Sequence, residues 1–381
     1  MFISNEQMRF TKNNYFQKVN TICSKFCIYK AGGVLRMTVI NDVFSHYFPN
    51  NTIINVKEIA GGTVNKTYVV ETEDKKRVVI QKINKFVFGD NIAFVERNYK
   101  QFKQTYDRCI EKYFNIPIWE EKDSGNLFCR STDGEYWRVY SFLPGEGLDS
   151  TADKNRIIIF GGTVAAMHTV LKGYKGNPEC AISHFHDLKY YLNIFLNLKD
   201  VNADRNIEIE EIIKSELNFI LNNCFFQKNA VIHGDTKIKN IIFNKKTNEI
   251  SFIDLDTFYY ASKLIDIADS IRSISNTAGD VPENEDNVDF DREVCVEFLR
   301  AYLQFEPGIL SEEEKKRLPN AIIRMPFELG VRFYYDYLNG NQYFPVEYQN
   351  QNLKRAKCQF KLFQRMLEKN VFDIEDEIDN R

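Results

Sequence analysis

The chain has 381 residues and a formal net charge of −3, with 44% apolar and 27% charged side chains. That balance excludes a nucleic-acid surface or an anionic membrane as the main partner, and no apolar run approaches the roughly 18 residues that span a bilayer. Eight cysteines are scattered from Cys23 to Cys358 without a C-x-x-C pair, which argues for reduced thiols in a cytoplasmic protein over a disulfide framework or a zinc site.

The length suits two lobes better than one domain. Residues 1–36 mix Lys, Asn and Phe without a clear period and lack the apolar core of a signal peptide. They are expected to be a poorly ordered leader or a mis-assigned start, with the protein proper beginning at Met37. From there Val39, Ile40, Val43, Phe44 and Tyr47 recur at helical spacing. Residues 53–59 and 67–71 read as strands around a turn containing Gly61 and Gly62, a device that can bring backbone N–H groups to phosphates. A third strand, 77–83, delivers Lys82, and a helix-compatible stretch after it carries Glu96. A strand lysine paired with a helix glutamate aims a cation at nucleotide phosphates; the plain alternative for Lys82 is a solvated strand lysine.

Residues 137–143 form another apolar strand, stopped by Pro144-Gly145. This is the expected hinge between a nucleotide-binding lobe, 37–143, and a catalytic and acceptor-binding lobe, 144–381. Adenine is expected on the backbone near Tyr140 and Phe142. Helical spacing then covers 157–170, 188–196 and 207–221, and His168, His184 and His186 read as structural or surface residues rather than metal ligands.

The most informative stretch is Val231-Ile-His-Gly-Asp-Thr-Lys-Ile-Lys-Asn-Ile-Ile-Phe243, followed by Ile253-Asp-Leu-Asp-Thr257. It reads His-x-Asp-x-x-x-x-Asn, with His233, Asp235 and Asn240 in the fixed positions. Phosphoryl transfer from ATP needs one carboxylate to take or orient a hydroxyl proton, and an amide and a second carboxylate for magnesium. Asp235 fits the first role, Asn240 and Asp254 the second, and Lys237 is spaced to reach the transferring group. Asp266 and Asp269 share one face of the next helix, as helix caps or as support beneath the loop. An acidic stretch at 280–291 reads as an exposed loop, and helices at 294–303, 311–318, 325–338 and 352–368 complete the chain.

His233-Gly-Asp-Thr-Lys-x-x-Asn240 with Ile253-Asp-Leu-Asp-Thr257 resembles the aminoglycoside phosphotransferase and choline kinase superfamily, and within it the N-acetylhexosamine 1-kinase group. Residues 80–88, Asp269-Ser-Ile-Arg272 with Asn276-Thr-Ala278, residues 330–338 and Tyr343-Phe344 carry the narrower likeness, which runs from about Met37 to Met366. The resemblance implies an α+β, bilobal, protein-kinase-like fold, with a small β-rich N-terminal lobe and a larger helical C-terminal lobe. It also implies ATP and Mg2+ as cofactors, a small sugar as substrate, and a monomer or weak homodimer. Carried over, Asp235 is the base, Asn240 and Asp254 hold the metal, and Thr257, Arg332 and Tyr343 lie in the sugar pocket. One departure is the turn Gly61-Gly-Thr-Val-Asn65, where the family often has a histidine near the position of Thr63. The expected reaction is ATP-dependent phosphorylation of the C1 hydroxyl of a hexose or N-acetylhexosamine. Choline, homoserine, a methylthio-sugar or an aminoglycoside would be the rival acceptors, and a catalytically dead nucleotide-binding module the rival class.

Overall fold

A computed structural model describes residues 37–379, apart from 60–63, 123, 151–152, 200, 202, 280–281 and 283. The leader 1–36 and the turn residues Gly61 and Gly62 therefore lie outside the described residues. No described helix is long and apolar enough to cross a membrane. The fold is α+β and divides into two units: one of 37–59, Lys66–Ile83 and Trp119–Ser141, the other of 64–65, Asn84–Ile118 and 142–379.

The smaller unit is a helix, α1 (37–45), on a five-stranded antiparallel sheet. Its strands are β1 (Ile53–Ile59), β2 (Lys66–Thr72), β3 (Arg77–Lys82), β4 (Phe128–Arg130) and β5 (Tyr136–Ser141), in the order β1-β2-β3-β5-β4. Alternation along each strand sends Tyr68, Val70, Val78, Ile80, Trp137 and Val139 to one face, where Ile40, Val43 and Phe44 of α1 cover them. The same period puts Gln81 and its register partner Arg138 on the opposite face. There Arg138 Nε donates to Gln81 Oε1 at 2.9 Å, and its guanidinium lies 4.1 Å over the Trp119 ring.

The larger unit is mainly helical. It holds α2 (Lys85–Phe88), α3 (Ile92–Arg108), α4 (Lys154–Leu171), α5 (Leu188–Leu196) and α6 (Ile207–Asn223), then α7 (Lys263–Ser275), α8 (Arg292–Phe305), α9 (Glu312–Lys316), α10 (Leu318–Leu338), α11 (Gln351–Glu368) and α12 (Ile374–Asp379). Side-chain caps start most of the long ones: Asp153 for α4, Asn206 for α6, Ser262 for α7 and Asp291 for α8 each accept from a first-turn N–H. Helix α10 begins at Leu318 rather than at 325 and runs through Pro326; Pro319 pre-sets its first turn, and the segment around Pro326 is buried throughout. It packs against α11, α7 and α5.

Helix α3 belongs to this unit and not with the sheet that precedes it in the chain. Asn98 Nδ2 donates to the carbonyls of Glu179 (2.8 Å) and Phe258 (3.1 Å), and Tyr99 Oη to that of Pro117. These long-range bonds outweigh chain proximity to β3. Two small sheets, β7 (Ala230–Ile232) with β10 (Tyr259–Ala261), and β6 (Glu146–Gly147) with β8 (Ile241–Asn244) and β9 (Glu249–Phe252), frame the loop described next.

Candidate active site

Strand β7 ends at Ile232, and the chain crosses to β8 through residues 233–237 and a 3-10 turn, Ile238–Asn240. Gly234 makes that crossing possible. Its φ is +88°, and a Cβ there would stand 2.6 Å from the Thr257 carbonyl oxygen. Asp266, at the start of α7, holds the loop from below: its carboxylate accepts the N–H groups of His233 and Gly234, both at 2.8 Å, and the Nε2 side of His168 at 3.0 Å. Its carbonyl accepts Thr236 Oγ1, and Ser273 Oγ accepts the N–H of Ile238. The supporting role for Asp266 thus prevails over simple capping, since a fully buried carboxylate must be saturated with donors.

Held this way, the loop presents a compact polar set. Lys237 Nζ lies 2.6 Å from Asp235 Oδ2, with both side chains about one-fifth exposed. Asn240 Nδ2 donates to the same oxygen at 3.0 Å and to the Asp235 carbonyl at 2.8 Å. Desolvation acts to raise the Asp235 carboxyl, but the charge and hydrogen bond of Lys237 outweigh it and hold the group below the ordinary carboxylate range. Burial likewise acts against the Lys237 ammonium, and the charges of Asp235 and Asp254 override it and push its pKa up. The N–H of Ile253 donates to the Asn240 carbonyl at 2.8 Å, bringing Asp254 beside the turn. Asp254 has a φ of +64°, a conformation uncommon for a residue with a Cβ and tolerated best by Asp and Asn.

These residues fit a hard divalent cation. Asn240 carries a carboxamide oxygen and Asp254 a carboxylate, the hard oxygen donors that such a cation takes. Magnesium is usually held by one or two carboxylates plus phosphate oxygens, and no cluster of three His, Cys, Asp or Glu suited to a metal exists among the described residues.

A cavity of about 490 Å³ opens elsewhere in the same unit, lined by α2, α5, the C-terminal half of α10 and the loop after it. Arg332 and Tyr343 both line it. The Arg332 side chain is 3% exposed, and its guanidinium lies 5.0–5.8 Å from the ring centres of Phe185, Tyr191, Tyr343 and Phe344. Arg332 Nε has no hydrogen-bond partner among the described residues. Asp336 shapes the far wall: its carboxylate accepts the N–H groups of Tyr343 (2.8 Å) and Phe344 (2.9 Å), fixing the loop that carries both rings.

Other expected site residues stand differently. Thr257 is buried and its hydroxyl donates to the His233 carbonyl at 2.8 Å; it does not line the cavity. Lys82 follows Ile80 onto the covered face of its sheet and pairs with Glu135 at 3.5 Å, while Glu96 takes Lys100, one turn along α3, at 2.6 Å. Each finds its ion pair inside its own unit, as i,i+4 or same-face neighbours do. Tyr140 is laddered to Val79 and bridged to Trp119, and Phe142 is the first residue past β5. In the acidic stretch, Glu285 pairs with Lys357 and Asp289 with Lys369. Sequence reasoning took His186 as structural or surface and missed Glu328 and Asp336; the only available signal was their helical spacing from Arg332 on α10.

An antiparallel sheet unit and a helical unit whose loop carries Asp235, Lys237 and Asn240, with Asp254 on the next turn, define a kinase-like phosphotransferase. The profile of the phosphotransferase enzyme family, APH, matches residues 55–306, and the chain belongs to that family. Solved structures share the fold at low identity. The GDP complex of wild-type aminoglycoside 2'-phosphotransferase-IIIa is 13% identical, with a TM-score of 0.55 over 84% of this chain and 97% of that one. Choline kinase LicA from Streptococcus pneumoniae is 14% identical, with a TM-score of 0.53 over 86% and 99%. Ethanolamine kinase from Plasmodium vivax is 15% identical, with a TM-score of 0.51 over 80% and 82%.

Proposed function

We propose that this phosphotransferase moves the γ-phosphoryl group of ATP to the C1 hydroxyl of a hexose or N-acetylhexosamine, giving the sugar 1-phosphate. Asp235 accepts or orients the hydroxyl proton. An anomeric hydroxyl is more acidic than an ordinary alcohol, so a carboxylate held ionised suffices, and such help is worth about 10²–10⁴ in rate. Lys237 neutralises charge on the transferring group, while positioning supplies the larger share of the acceleration. Asn240 and Asp254 would hold magnesium, which screens the phosphate charge during transfer.

The observation that supports a neutral sugar over the cationic acceptors is Arg332. Choline, ethanolamine and aminoglycosides are cations, and a cavity for them calls for anionic walls or an open aromatic cage. Here the cage of Phe185, Tyr191, Tyr343 and Phe344 is already filled by a buried guanidinium. Of the two carboxylates lining the cavity, Asp90 and Asp336, the second is engaged by the Tyr343 and Phe344 N–H groups. The guanidinium donors suit neutral vicinal hydroxyls or an acetamido oxygen, with a Tyr343 ring as an apolar wall. The ion pairs of Glu285 and Asp289 with Lys357 and Lys369 also leave the acidic stretch less able to attract a polycation. The test is an ADP-release screen with magnesium and ATP over hexoses, N-acetylhexosamines, their 1-deoxy and 1-O-methyl forms, choline, ethanolamine and aminoglycosides. Turnover of a reducing sugar that disappears in its 1-deoxy and 1-O-methyl forms is expected; turnover of cationic acceptors alone overturns the reading.

A further inference from the structure

His186 carries a bond that the reaction scheme above does not use. Its Nε2 donates to the Gly234 carbonyl at 2.9 Å, and its Nδ1 lies 2.8 Å from Glu328 Oε1. The Gly234 carbonyl belongs to the peptide that joins Gly234 to Asp235. On the other side of the same glycine, Asp266 holds the N–H. The backbone leading into Asp235 is therefore gripped at both of its polar groups by two different parts of the unit. Gly234 itself adds no side chain to resist rotation, so these two bonds, the longer 3.3 Å bond from the Asp235 N–H to His233 Nδ1 and the tight packing against Thr257 and Phe185 set the peptide's orientation.

The far end of the link is as well defined. Glu328 is fully buried and shared: Arg324 Nη2 donates to Oε2 at 3.0 Å, and Arg332 Nη1 stands 3.8 Å from Oε1, one helical turn along α10. Arg324 also donates to the His186 carbonyl at 2.7 Å, fixing the backbone of the residue whose ring makes the link. His186 has a φ of +53°, which is costly for a residue with a Cβ and persists only where the surroundings over-determine it. One imidazole thus connects the cavity arginine's carboxylate partner to the peptide that aims Asp235.

We propose that His186, anchored by Glu328, is a positioning residue for phosphoryl transfer: its Nε2 bond to Gly234 sets the peptide that orients the Asp235 carboxylate toward the acceptor. This rests on the reading of Asp235 as the group that orients the hydroxyl, and not on which alcohol is phosphorylated. Misplacing a reacting group by about 1 Å can cost about 10²-fold in rate, so the link acts on kcat and leaves binding alone.

Two near-isosteric substitutions separate the two bonds. His186→Gln presents an amide N–H near the Nε2 position and keeps the Gly234 contact; His186→Asn presents one near Nδ1 and keeps only the Glu328 contact. Both are assayed with whichever alcohol the wild-type enzyme phosphorylates, alongside thermal melts and nucleotide affinity, so a failed sugar assignment leaves this test intact. The expected result is a kcat lower by about 10- to 100-fold in His186→Asn, with acceptor and ATP KM within about twofold, and a kcat within about threefold of wild type in His186→Gln. Equal losses in both variants, or none in either, overturn the proposal by reducing His186 to packing. Should His186→Asn not fold, a folded His186→Gln enzyme still decides: a tenfold or greater loss of kcat overturns it, and retention supports it.

Discussion

Lys237 Nζ stands 2.6 Å from Asp235 Oδ2, so the two charged side chains at the centre of the catalytic loop are each other's nearest ionic partners. One pair serves two ends. The lysine keeps the carboxylate ionised despite its burial, and the carboxylate fixes the lysine within two residues of where a hydroxyl would be activated.

Asp235→Asn keeps the shape and the Asn240 contacts but removes the proton acceptor. It should fold with wild-type melting behaviour, bind nucleotide normally and lose about 10²-fold or more in turnover. Steady-state kinetics beside nucleotide titration check this, and near-normal turnover would remove Asp235 from the chemistry.

Lys237→Met takes away the main attraction that lowers the Asp235 pKa and leaves desolvation to act unopposed by it. On the proposed reading Asp235 works in its ionised form, so the acid limb of the kcat/KM profile should move to higher pH. Rates measured from pH 4 to 8 decide; an unmoved limb would mean that the group titrating there is not Asp235.

If Asn240 and Asp254 hold magnesium as proposed, Asn240→Ala and Asp254→Asn should each raise the magnesium concentration needed for half-maximal turnover. Asparagine is chosen at 254 because it tolerates the positive φ found there. Unchanged metal titrations in both variants would contradict the ligand assignment.

Arg332→Ala should raise the acceptor KM sharply while the ATP KM stays nearly constant. A site built to hydrogen-bond its substrate discriminates strongly when those donors are removed. Parallel rises in both constants, or none, would make Arg332 a structural residue and take away the main support for a neutral sugar.

Glu328→Gln tests the buried network by stability. Desolvation opposes the Glu328 carboxylate, but His186 and Arg324 overcome it and hold its pKa at about 2, below the ordinary 4.5. A depressed carboxyl stabilises the fold above its unfolded pKa and loses that contribution as pH falls through the folded one. Wild type should therefore lose stability between about pH 4.5 and 2 partly through this group, and Glu328→Gln should be less stable by about 3 kcal/mol at neutral pH with a flatter acid slope. Chemical denaturation at pH 7 and at pH 3 gives the comparison.

What the sequence determined by itself was the reaction class and the local frame of the loop. Asp235, Lys237 and Asn240 lie within six positions, and a backbone that turns from one strand to the next brings such neighbours together almost regardless of the rest of the fold. The strands that carry Tyr68, Val70, Val78 and Ile80 were likewise readable in advance, at 67–71 and 77–83. The pairing of Lys82 with Glu135, the burial of the Thr257 hydroxyl and the place of α3 were decided only by tertiary structure. So was the link from Gly234 through His186 to Glu328, whose last two members are 142 positions apart. The physical reason is that a buried charge must be satisfied by whatever donors the packed faces bring to it. Those faces are chosen by the burial of whole helices and sheets, a quantity that no short window of sequence contains.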